Sequence, residues 1–265
     1  MKIIAIMGSP KGKGAGYRVV RMIEERMKAA GDIEFAYLFL KDANLKSCLG
    51  CYTCMAKGED KCPLKDDRAA IEQEMSTADG FILSSPLYVN NVSGLMKNFI
   101  ERFAYLNHRP RFLRQAVLAV VNMAGTEGTG ALSALRYAIG GARGSRARHE
   151  IAIATPPWPQ TARAIAKKER AIGSAAKKFY QACLDASLPR PTLRSYIDFL
   201  MMQRLGIECR QSLPADHEFY KGRAYYFDTH INPVKAAAAK AVVGFMMTIW
   251  TRFMGPGKGP WPVAK

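Results

Sequence analysis

Lys2-Ile3-Ile4-Ala5-Ile6-Met7-Gly8-Ser9-Pro10-Lys11-Gly12-Lys13-Gly14 joins a strand pattern to a glycine-rich turn. The first six residues form a nearly continuous apolar run, which is typical of a strand buried on both faces of a parallel sheet. After the turn, apolar residues recur at helical spacing from Val19 to Met27, and Gly31 stands where a helix is expected to end. This segment therefore predicts a strand, a tight turn and a helix in succession.

The alternation of strand and helix patterns continues to about residue 155. We predict further strands at residues 35–40, 80–85, 116–122 and 149–154, and further helices at residues 66–75, 93–105 and 129–139. Five strands that alternate with helices require a parallel sheet covered on both faces, with right-handed crossovers. The sequence therefore predicts an α/β, doubly wound fold with a five-stranded parallel sheet, whose ligands bind at the carboxyl ends of the strands.

A proline-rich segment, residues 155–159, ends this regular alternation. We place a domain boundary at residue 156, which gives one domain over residues 1–156 and a mostly helical basic extension over residues 157–265. In the extension we predict helices at residues 163–184, 193–205 and 234–254. Before the last of these helices lies an aromatic patch that includes Phe219, Tyr220, Tyr225, Tyr226 and Phe227.

The charge of the 265-residue chain, +17 in total, lies almost entirely in its second part. Residues 102–265 hold 25 basic and 9 acidic residues, whereas residues 1–101 are nearly neutral. Such a basic region favours an anionic neighbour: nucleic acid, dinucleotide phosphates or an anionic membrane surface. No nucleic-acid-binding module is recognisable, so we expect no nucleic acid as a partner. Arg109 and Arg111 could attract a dinucleotide phosphate, but we expect them to form a solvated basic face.

Four cysteines, Cys48, Cys51, Cys54 and Cys62, follow the pattern C-x₂-C-x₂-C-x₇-C. The two short steps let three sulfurs converge on one small object, and the longer spacer adds a fourth, which suits an iron–sulfur cube better than a zinc tetrahedron. Redox-active thiols without metal, and zinc, are the alternatives. The start of the chain has no secretory pattern, so we expect a cytoplasmic protein with reduced thiols.

The last predicted helix is ambiguous, because residues 241–251 carry no charge. Residues 236–254 would rise about 28 Å as a helix, slightly less than the hydrocarbon core of about 30 Å. We expect this helix to pack in a core or a dimer interface, with attachment to a membrane surface as the alternative.

Three predicted loops at the carboxyl ends of the strands could hold a nucleotide. Main-chain N–H groups of Ser9–Tyr17 and the following helix terminus could bind a phosphate. The loop after the third strand could place Tyr88 and Asn90 against a flat aromatic ligand, and the loop at residues 122–128 could cover its other side. A plain tight turn and an ordinary connection are the alternatives for the first two loops.

Together these motifs resemble the flavodoxin-like NAD(P)H-dependent FMN reductases and, among them, the iron–sulfur flavoprotein branch. The resemblance covers about residues 1–155. It rests on G-S-P-K at residues 8–11, the cysteine motif, Asp66-Asp67, and S-P-L-Y-V-N-N-V-S-G-L-M-K-N-F-I-E-R at residues 85–102. It implies a flavodoxin-like fold.

The resemblance also implies FMN, with NAD(P)H as co-substrate and the chemistry at the flavin rather than at a catalytic side chain. It implies a [4Fe–4S] cluster on Cys48, Cys51, Cys54 and Cys62. The expected cofactor-binding residues are Ser9, Lys11, Gly14, Gly16, Tyr17, Ser85, Pro86, Leu87, Tyr88, Val89, Asn90, Ala124, Gly125 and Thr126. Relatives usually carry Asn and then Ser or Thr where this chain has Ala15 and Gly16, so we expect FMN binding to be retained but weakened.

The expected function is that of an FMN-dependent oxidoreductase that accepts hydride from NAD(P)H and passes electrons to a quinone, a flavin or an iron–sulfur acceptor. The acceptor would be a small molecule or a protein. The alternatives are a flavodoxin-like electron carrier without substrate turnover and a membrane-surface adaptor with peripheral contact through the last helix. The resemblance favours a homodimer or homotetramer.

Overall fold

A five-stranded parallel sheet forms the centre of the computed structural model, which describes residues 1–125, 128–140, 147–185 and 187–254. The strand order is β2-β1-β3-β4-β5, and all four neighbouring pairs are parallel. This order confirms the predicted flavodoxin-like, doubly wound fold. The strands are β1 (Lys2–Met7), β2 (Glu34–Phe39), β3 (Gly80–Pro86), β4 (Ala116–Met123) and β5 (Ala147–Ala154).

The helices lie close to the positions that the sequence predicts. Short 3₁₀ turns lie at Glu59–Lys61, Ala104–Asn107 and Ala138–Gly140. The α-helices are α1 (Ala15–Lys28), α2 (Thr53–Ala56), α3 (Arg68–Ser76), α4 (Gly94–Arg102), α5 (Thr129–Arg136), α6 (Ala162–Leu184), α7 (Leu193–Glu208), α8 (Pro214–Tyr220) and α9 (Pro233–Met254).

Two of the predicted helices end earlier than expected. The fourth helix stops at Arg102 because Phe103 leaves the helical region, and a 3₁₀ turn continues the chain. The fifth stops at Arg136, and Ile139 adopts a left-handed conformation with φ +48°. Such a conformation is unfavourable for a β-branched residue, so periodicity alone could not have predicted it.

Each face of the sheet has its own apolar core, because consecutive strand residues point to opposite faces. Ile4, Ile6 and Leu83 pack with residues of α3, α4 and α5 on one face. Ile3 and Ile82 pack with residues of α1 and α6 on the other face. The continuous apolar runs in the sequence are therefore the signature of strands covered on both sides.

The helix α6 packs against the sheet, although the predicted boundary at residue 156 assigns it to the extension. Its buried residues include Phe179 and Cys183, which belong to the same core as β1 and β3. Tyr180 also donates a hydrogen bond from its hydroxyl to the carbonyl of Ala30 at 3.0 Å. The boundary at 156 stays a prediction, and this packing favours an end of the sheet-bearing unit after residue 184.

The predicted aromatic patch forms a third, smaller core between α7, α8 and α9. The Phe199 ring lies at its centre, with ring centroids 5.1 to 5.5 Å from those of Tyr220, Tyr225 and Tyr226. A capping box between Thr192 and Ser195 fixes the start of α7. Across the described ranges, no helix combines the length and apolar character needed to cross a bilayer.

Gly80 gives a direct test of the contact between α6 and the sheet. A Cβ at this position would lie 2.6 Å from Cys183 Sγ and 2.9 Å from Phe179 Cζ. We therefore expect Gly80→Ala to lower the free energy of unfolding by about 1–3 kcal/mol through overpacking, as measured by denaturant titration.

The matched control is Gly94→Ala, where the new Cβ would meet nothing within 4 Å. Adding Cys183→Ala to Gly80→Ala should recover part of the lost stability, because the smaller side chain makes room. Equal stability of Gly80→Ala and Gly94→Ala would contradict the described packing of α6.

Candidate functional site

The glycine-rich turn lies between the carboxyl end of β1 and the first residue of α1. Gly12 has φ +59°, and the hydroxyl oxygen of buried Ser9 accepts a hydrogen bond from Lys11 N at 3.3 Å. Gly14 caps the helix without a side-chain acceptor, and the first turn of α1 carries no acidic residue. The N–H groups and the positive helix dipole at this terminus suit a phosphate group. Lys11 is exposed beside the turn.

The Tyr17 ring is a packing element of this region. Its ring centroid lies 5.1 Å from that of Tyr37 and 5.9 Å from that of Phe39, both on β2. The side chain is therefore held against the edge strand of the sheet. The main chain of Tyr17 lies in the first turn of α1, next to the glycine-rich turn.

Gly16 faces side chains from β3 and β4. A Cβ at Gly16 would lie 2.6 Å from Asn122 Oδ1 and 3.3 Å from Ser84 Oγ. Within the described part of the chain, Asn122 Oδ1 is buried and has no hydrogen-bond partner. The Asn122 carboxamide thus takes the space that a side chain at position 16 would need. Sequence reasoning could not find this pair, because its members are far apart in the chain.

The residues at the exit of β3 act mainly as a scaffold. Ser85 Oγ is buried, accepts a hydrogen bond from Ser93 N at 2.9 Å and donates one to Pro86 O at 3.0 Å. Leu87 N donates to Asn122 O at 2.9 Å. These bonds fix the start of α4 and the end of β4 relative to β3. The predicted site residues Ser85, Pro86 and Leu87 therefore set the position of the loop that follows.

A tight turn follows at Tyr88–Asn91. Tyr88 and Asn91 exchange two main-chain hydrogen bonds of 2.9 Å, and Val89 and Asn90 have φ +47° and +56°. A positive φ is strained for a β-branched residue, and such strain is concentrated at functional sites. Tyr88 and Val89 are exposed. The turn therefore presents one aromatic and one apolar side chain at the carboxyl edge of the sheet.

The loop after β4 and the start of α5 approach the same turn. A Cβ at Gly130 would lie only 1.9 Å from Asn90 O, so glycine is required for this contact. Ala124 and Gly125 are exposed after β4. Thr126, the last predicted cofactor contact, lies outside the described residues. The remaining predicted contacts lie in or next to three connections at the carboxyl edge of the sheet, which are the turn into α1, the end of β3 with its turn, and the start of the loop after β4.

All four motif cysteines line one cavity, which we call the cysteine cavity. Each is partly buried, and nowhere in the described ranges do three or more His, Cys, Asp or Glu side chains form a group tight enough for a single metal ion. The other lining residues are two cations, one carboxylate and apolar or aromatic groups, namely Arg68, Arg102, Glu101, Leu49, Tyr52, Pro63 and Leu64.

The thiols in this cavity differ in acidity. Burial raises the pKa of the Cys54 thiol, and the nearby Cys62, Cys48 and Cys51 raise it further. Hydrogen bonds with the side chain and backbone of Thr53 lower the pKa of the Cys51 thiol. Cys51 therefore ionises more readily than Cys54, and the four sulfurs are close enough to influence one another.

Arg102, at the end of α4, connects the cavity to a buried carboxylate. Its Nη1 donates to Cys62 Sγ at 3.1 Å, and its Nη2 donates to both carboxylate oxygens of Asp66 at 2.7 and 2.8 Å. Both members of this ion pair are almost completely buried. Breaking a buried pair by removing one partner typically costs about 3–5 kcal/mol. The pair therefore holds Cys62 firmly against α4.

Asp66 and Asp67 bind the segment just before the cysteine loop, which we define as residues 48–62. Asp66 accepts a hydrogen bond from Lys46 N at 3.0 Å, and Asp67 accepts one from Asn44 N at 2.8 Å. Asn98 of α4 accepts a bond from Cys48 N at 3.1 Å. The Asp66-Asp67 pair thus has a structural role that the sequence did not reveal.

The expectation of a solvated face is wrong for Arg109, which is 3% exposed. Its guanidinium donates to the carbonyl oxygens of Cys54 and Met55 and forms ion pairs with Glu59 and with Asp216 of α8. The N–H donors of the Arg109 guanidinium are bound to these groups. Arg109 therefore cannot attract a dinucleotide phosphate. The reason for the error is the distance of 107 residues between Arg109 and Asp216 in the chain.

Two neighbouring side chains extend this network. Asp216 also bonds His108 Nδ1 at 2.6 Å. Arg111, which is partly exposed, forms ion pairs with Glu59 and Glu72. The C-terminal extension is therefore attached by charged groups to the loop that carries the cysteines.

Comparison with known proteins identifies a matching family and several relatives of this chain. The model of the NADPH-dependent FMN reductase family matches residues 1–155. An iron-sulfur flavoprotein of Archaeoglobus fulgidus is 33% identical over 186 residues, which cover 66% of this chain and 90% of the relative. An iron-sulfur flavoprotein of Methanocaldococcus jannaschii is 40% identical over 102 residues, 38% of this chain and 51% of the relative.

Solved structures share the fold at low sequence identity. A flavone reductase matches with a TM-score of 0.52 and 15% identity, over 71% of this chain and 66% of that chain. An NAD(P)H:quinone oxidoreductase from Methanothermobacter marburgensis matches with a TM-score of 0.51 and 16% identity, over 67% of this chain and 96% of that chain. Fold, motifs and family match agree, and the chain belongs to the NADPH-dependent FMN reductase family.

Proposed function

We propose that this chain is an FMN-dependent oxidoreductase that accepts hydride from NAD(P)H and passes electrons to a second acceptor. The observation that carries the proposal is the start of α1, which lies at the switch point of the sheet and offers its N–H groups without a side-chain cap or a nearby acidic residue. An anionic mononucleotide is the ligand class that suits such a terminus.

The residues fit FMN in this position. Main-chain groups of the Ser9–Tyr17 turn would hold its phosphate, with Ser9 and Lys11 adding a hydroxyl and a charge. The ring would lie beside Tyr88, Val89 and Asn90, with Ala124 and Gly125 on its other side. When bound, FMN supplies the hydride-accepting centre, so the protein needs no catalytic side chain of its own.

The cysteine cavity fits a [4Fe–4S] cluster. A four-iron cube is a larger object than a single ion, so thiols arranged around a shared cavity suit it. Arg102 beside Cys62 would stabilise the negative charge of the ligands. When bound, the cluster supplies a one-electron relay to the second acceptor.

Other features of the expected function stay predictions. They are the choice of quinone, flavin or iron–sulfur acceptor, the preference for NADH or NADPH, the cytoplasmic location and the homodimeric or homotetrameric state. Asp216 of the basic extension pairs with Arg109, which also donates to the carbonyl oxygens of Cys54 and Met55.

Titration with FMN and with riboflavin tests the proposed function directly. We expect FMN to bind at least about tenfold more tightly, because only FMN offers a phosphate to the terminus of α1. Flavin fluorescence and absorbance measure binding, and steady-state oxidation of NADH and NADPH measures turnover. Equal affinities for the two flavins would reject the phosphate site, and flavin binding without turnover would identify an electron carrier.

The pair Gly16 and Asn122 predicts a non-additive result. Restoring the usual serine by Gly16→Ser should weaken FMN binding about tenfold, because the new Cβ would lie 2.6 Å from Asn122 Oδ1. Adding Asn122→Ala should restore binding to at least the wild-type level. The measurement is the FMN dissociation constant of both single variants and the double variant.

Additive effects of the two substitutions on FMN binding would contradict this prediction. Substitutions of two residues in contact should be non-additive, with a measurable interaction free energy. Ala15→Asn is the matched control, because it restores the neighbouring polar residue of relatives at a partly exposed position. We expect it to leave the fold intact and to maintain or strengthen FMN binding.

The cluster is tested by metal analysis of protein prepared without oxygen. We expect about four iron atoms and four acid-labile sulfides per chain, with both strongly reduced in Cys54→Ser. Cys209→Ser is the matched control, because Cys209 lies at the end of α7, outside the motif, and should leave the metal content unchanged. Wild-type protein without iron and sulfide would reject the cluster but leave the FMN proposal standing.

A further inference from the structure

The C-terminal helix α9 carries an apolar stripe that the fold does not cover. Val242, Phe245, Met246 and Ile249 recur at steps of three, one and three residues, which places them on one face of a helix. All four are exposed, and Phe245 is 70% exposed. Trp250 is also exposed beside the end of this stripe.

A different face of α9 holds the helix on the protein. Ala239 and Val243 are buried, and α9 packs against α7 next to the aromatic core. Both the inner face and the stripe are therefore apolar. A contiguous apolar face that stays exposed usually marks an interaction site, which indicates that the stripe has an occupant.

Charge indicates the nature of this occupant. The last acidic residue in the sequence is Asp228, and all later charged residues are cations. Lys235 is exposed at the start of α9, and Arg252 is exposed near its end, beyond the stripe. An anionic surface is attracted by this pattern, whereas a second copy of the chain would bring like charges together.

We propose that α9 docks the protein onto an anionic lipid bilayer surface. Phe245, Met246 and Ile249 would enter the boundary between headgroups and acyl chains, with the helix lying parallel to the surface. Trp250 suits the interfacial layer, since its ring combines an apolar body with a polar N–H group. Lys235 and Arg252 would contact lipid phosphates at the two ends of the stripe.

This contact is peripheral and does not depend on the flavin. No helix in the described ranges can span a bilayer, and an interfacial helix needs only one apolar face and flanking cations. The stripe also lies outside the cysteine cavity and the three cofactor loops. Binding to lipid should therefore be the same with and without FMN.

Sedimentation of the full-length protein with lipid vesicles tests the proposal. We expect binding to vesicles of phosphatidylcholine with phosphatidylglycerol, and at least about tenfold weaker binding to phosphatidylcholine alone. High salt should weaken the binding to anionic vesicles, because it screens charges at an exposed surface. Failure of the wild-type protein to bind anionic vesicles would overturn the proposal.

A pair of double variants separates the stripe from general effects on α9. Phe245→Gln with Ile249→Gln should reduce binding to anionic vesicles at least about tenfold. The variant lacks two large apolar side chains whose transfer from water into the bilayer favours binding. Ala237→Gln with Thr248→Gln is the matched control, because both residues are exposed on α9 away from the stripe. It should bind like the wild type.

Circular dichroism and FMN affinity should be unchanged in both double variants, which shows that any loss of lipid binding is local. Equal vesicle binding by the two double variants would contradict the proposed role of the stripe. A second result would also contradict it. In that case the wild-type protein is a dimer, the variant with Phe245→Gln and Ile249→Gln is a monomer, and none of the proteins binds vesicles. That result would assign the stripe to a second copy of the chain.

Discussion

Burial of two guanidinium groups holds the cysteine loop in place. Between β2 and α3 the chain has only the one-turn helix α2 and a 3₁₀ turn, so regular secondary structure cannot fix it. Arg102 and Arg109 are almost completely buried and bind carboxylates, carbonyl oxygens and a thiol from separate segments. A buried charge is tolerated only with such a set of partners. The positions of the cysteines therefore depend on α4 and on the C-terminal extension together.

At the carboxyl edge of the sheet, the determining constraint is close approach of main chains. Gly16 lies against the Asn122 side chain, and Gly130 lies against the carbonyl of Asn90. The strained turn at Val89 is kept by its two main-chain hydrogen bonds and by this contact with α5. The proposed site for an anionic mononucleotide is thus bordered by closely packed main chains.

The sequence predicted the features that depend on local patterns. Apolar runs such as residues 2–7 located the buried strands, and the spacing of the four cysteines located their common cavity. It could not predict the partners of Arg109 and Arg102, because an ion pair between distant residues leaves no periodic signal. For the same reason, the sequence did not reveal that Asn122 occupies the space beside Gly16. The prolines at residues 156–159 resemble a domain linker, so the sequence pattern did not reveal that α6 packs against the sheet.

The buried ion pair between Arg109 and Asp216 has a practical consequence for truncating the protein. A fragment cut where the family match stops, at residue 155, would lose the α6 side chains that cover one face of the sheet. A fragment cut after residue 184 would keep that cover but leave an arginine enclosed without its aspartate. Each truncation would expose or unpair groups that are buried in this structure, so biochemical work on the cysteine loop calls for a chain that retains both α6 and α8.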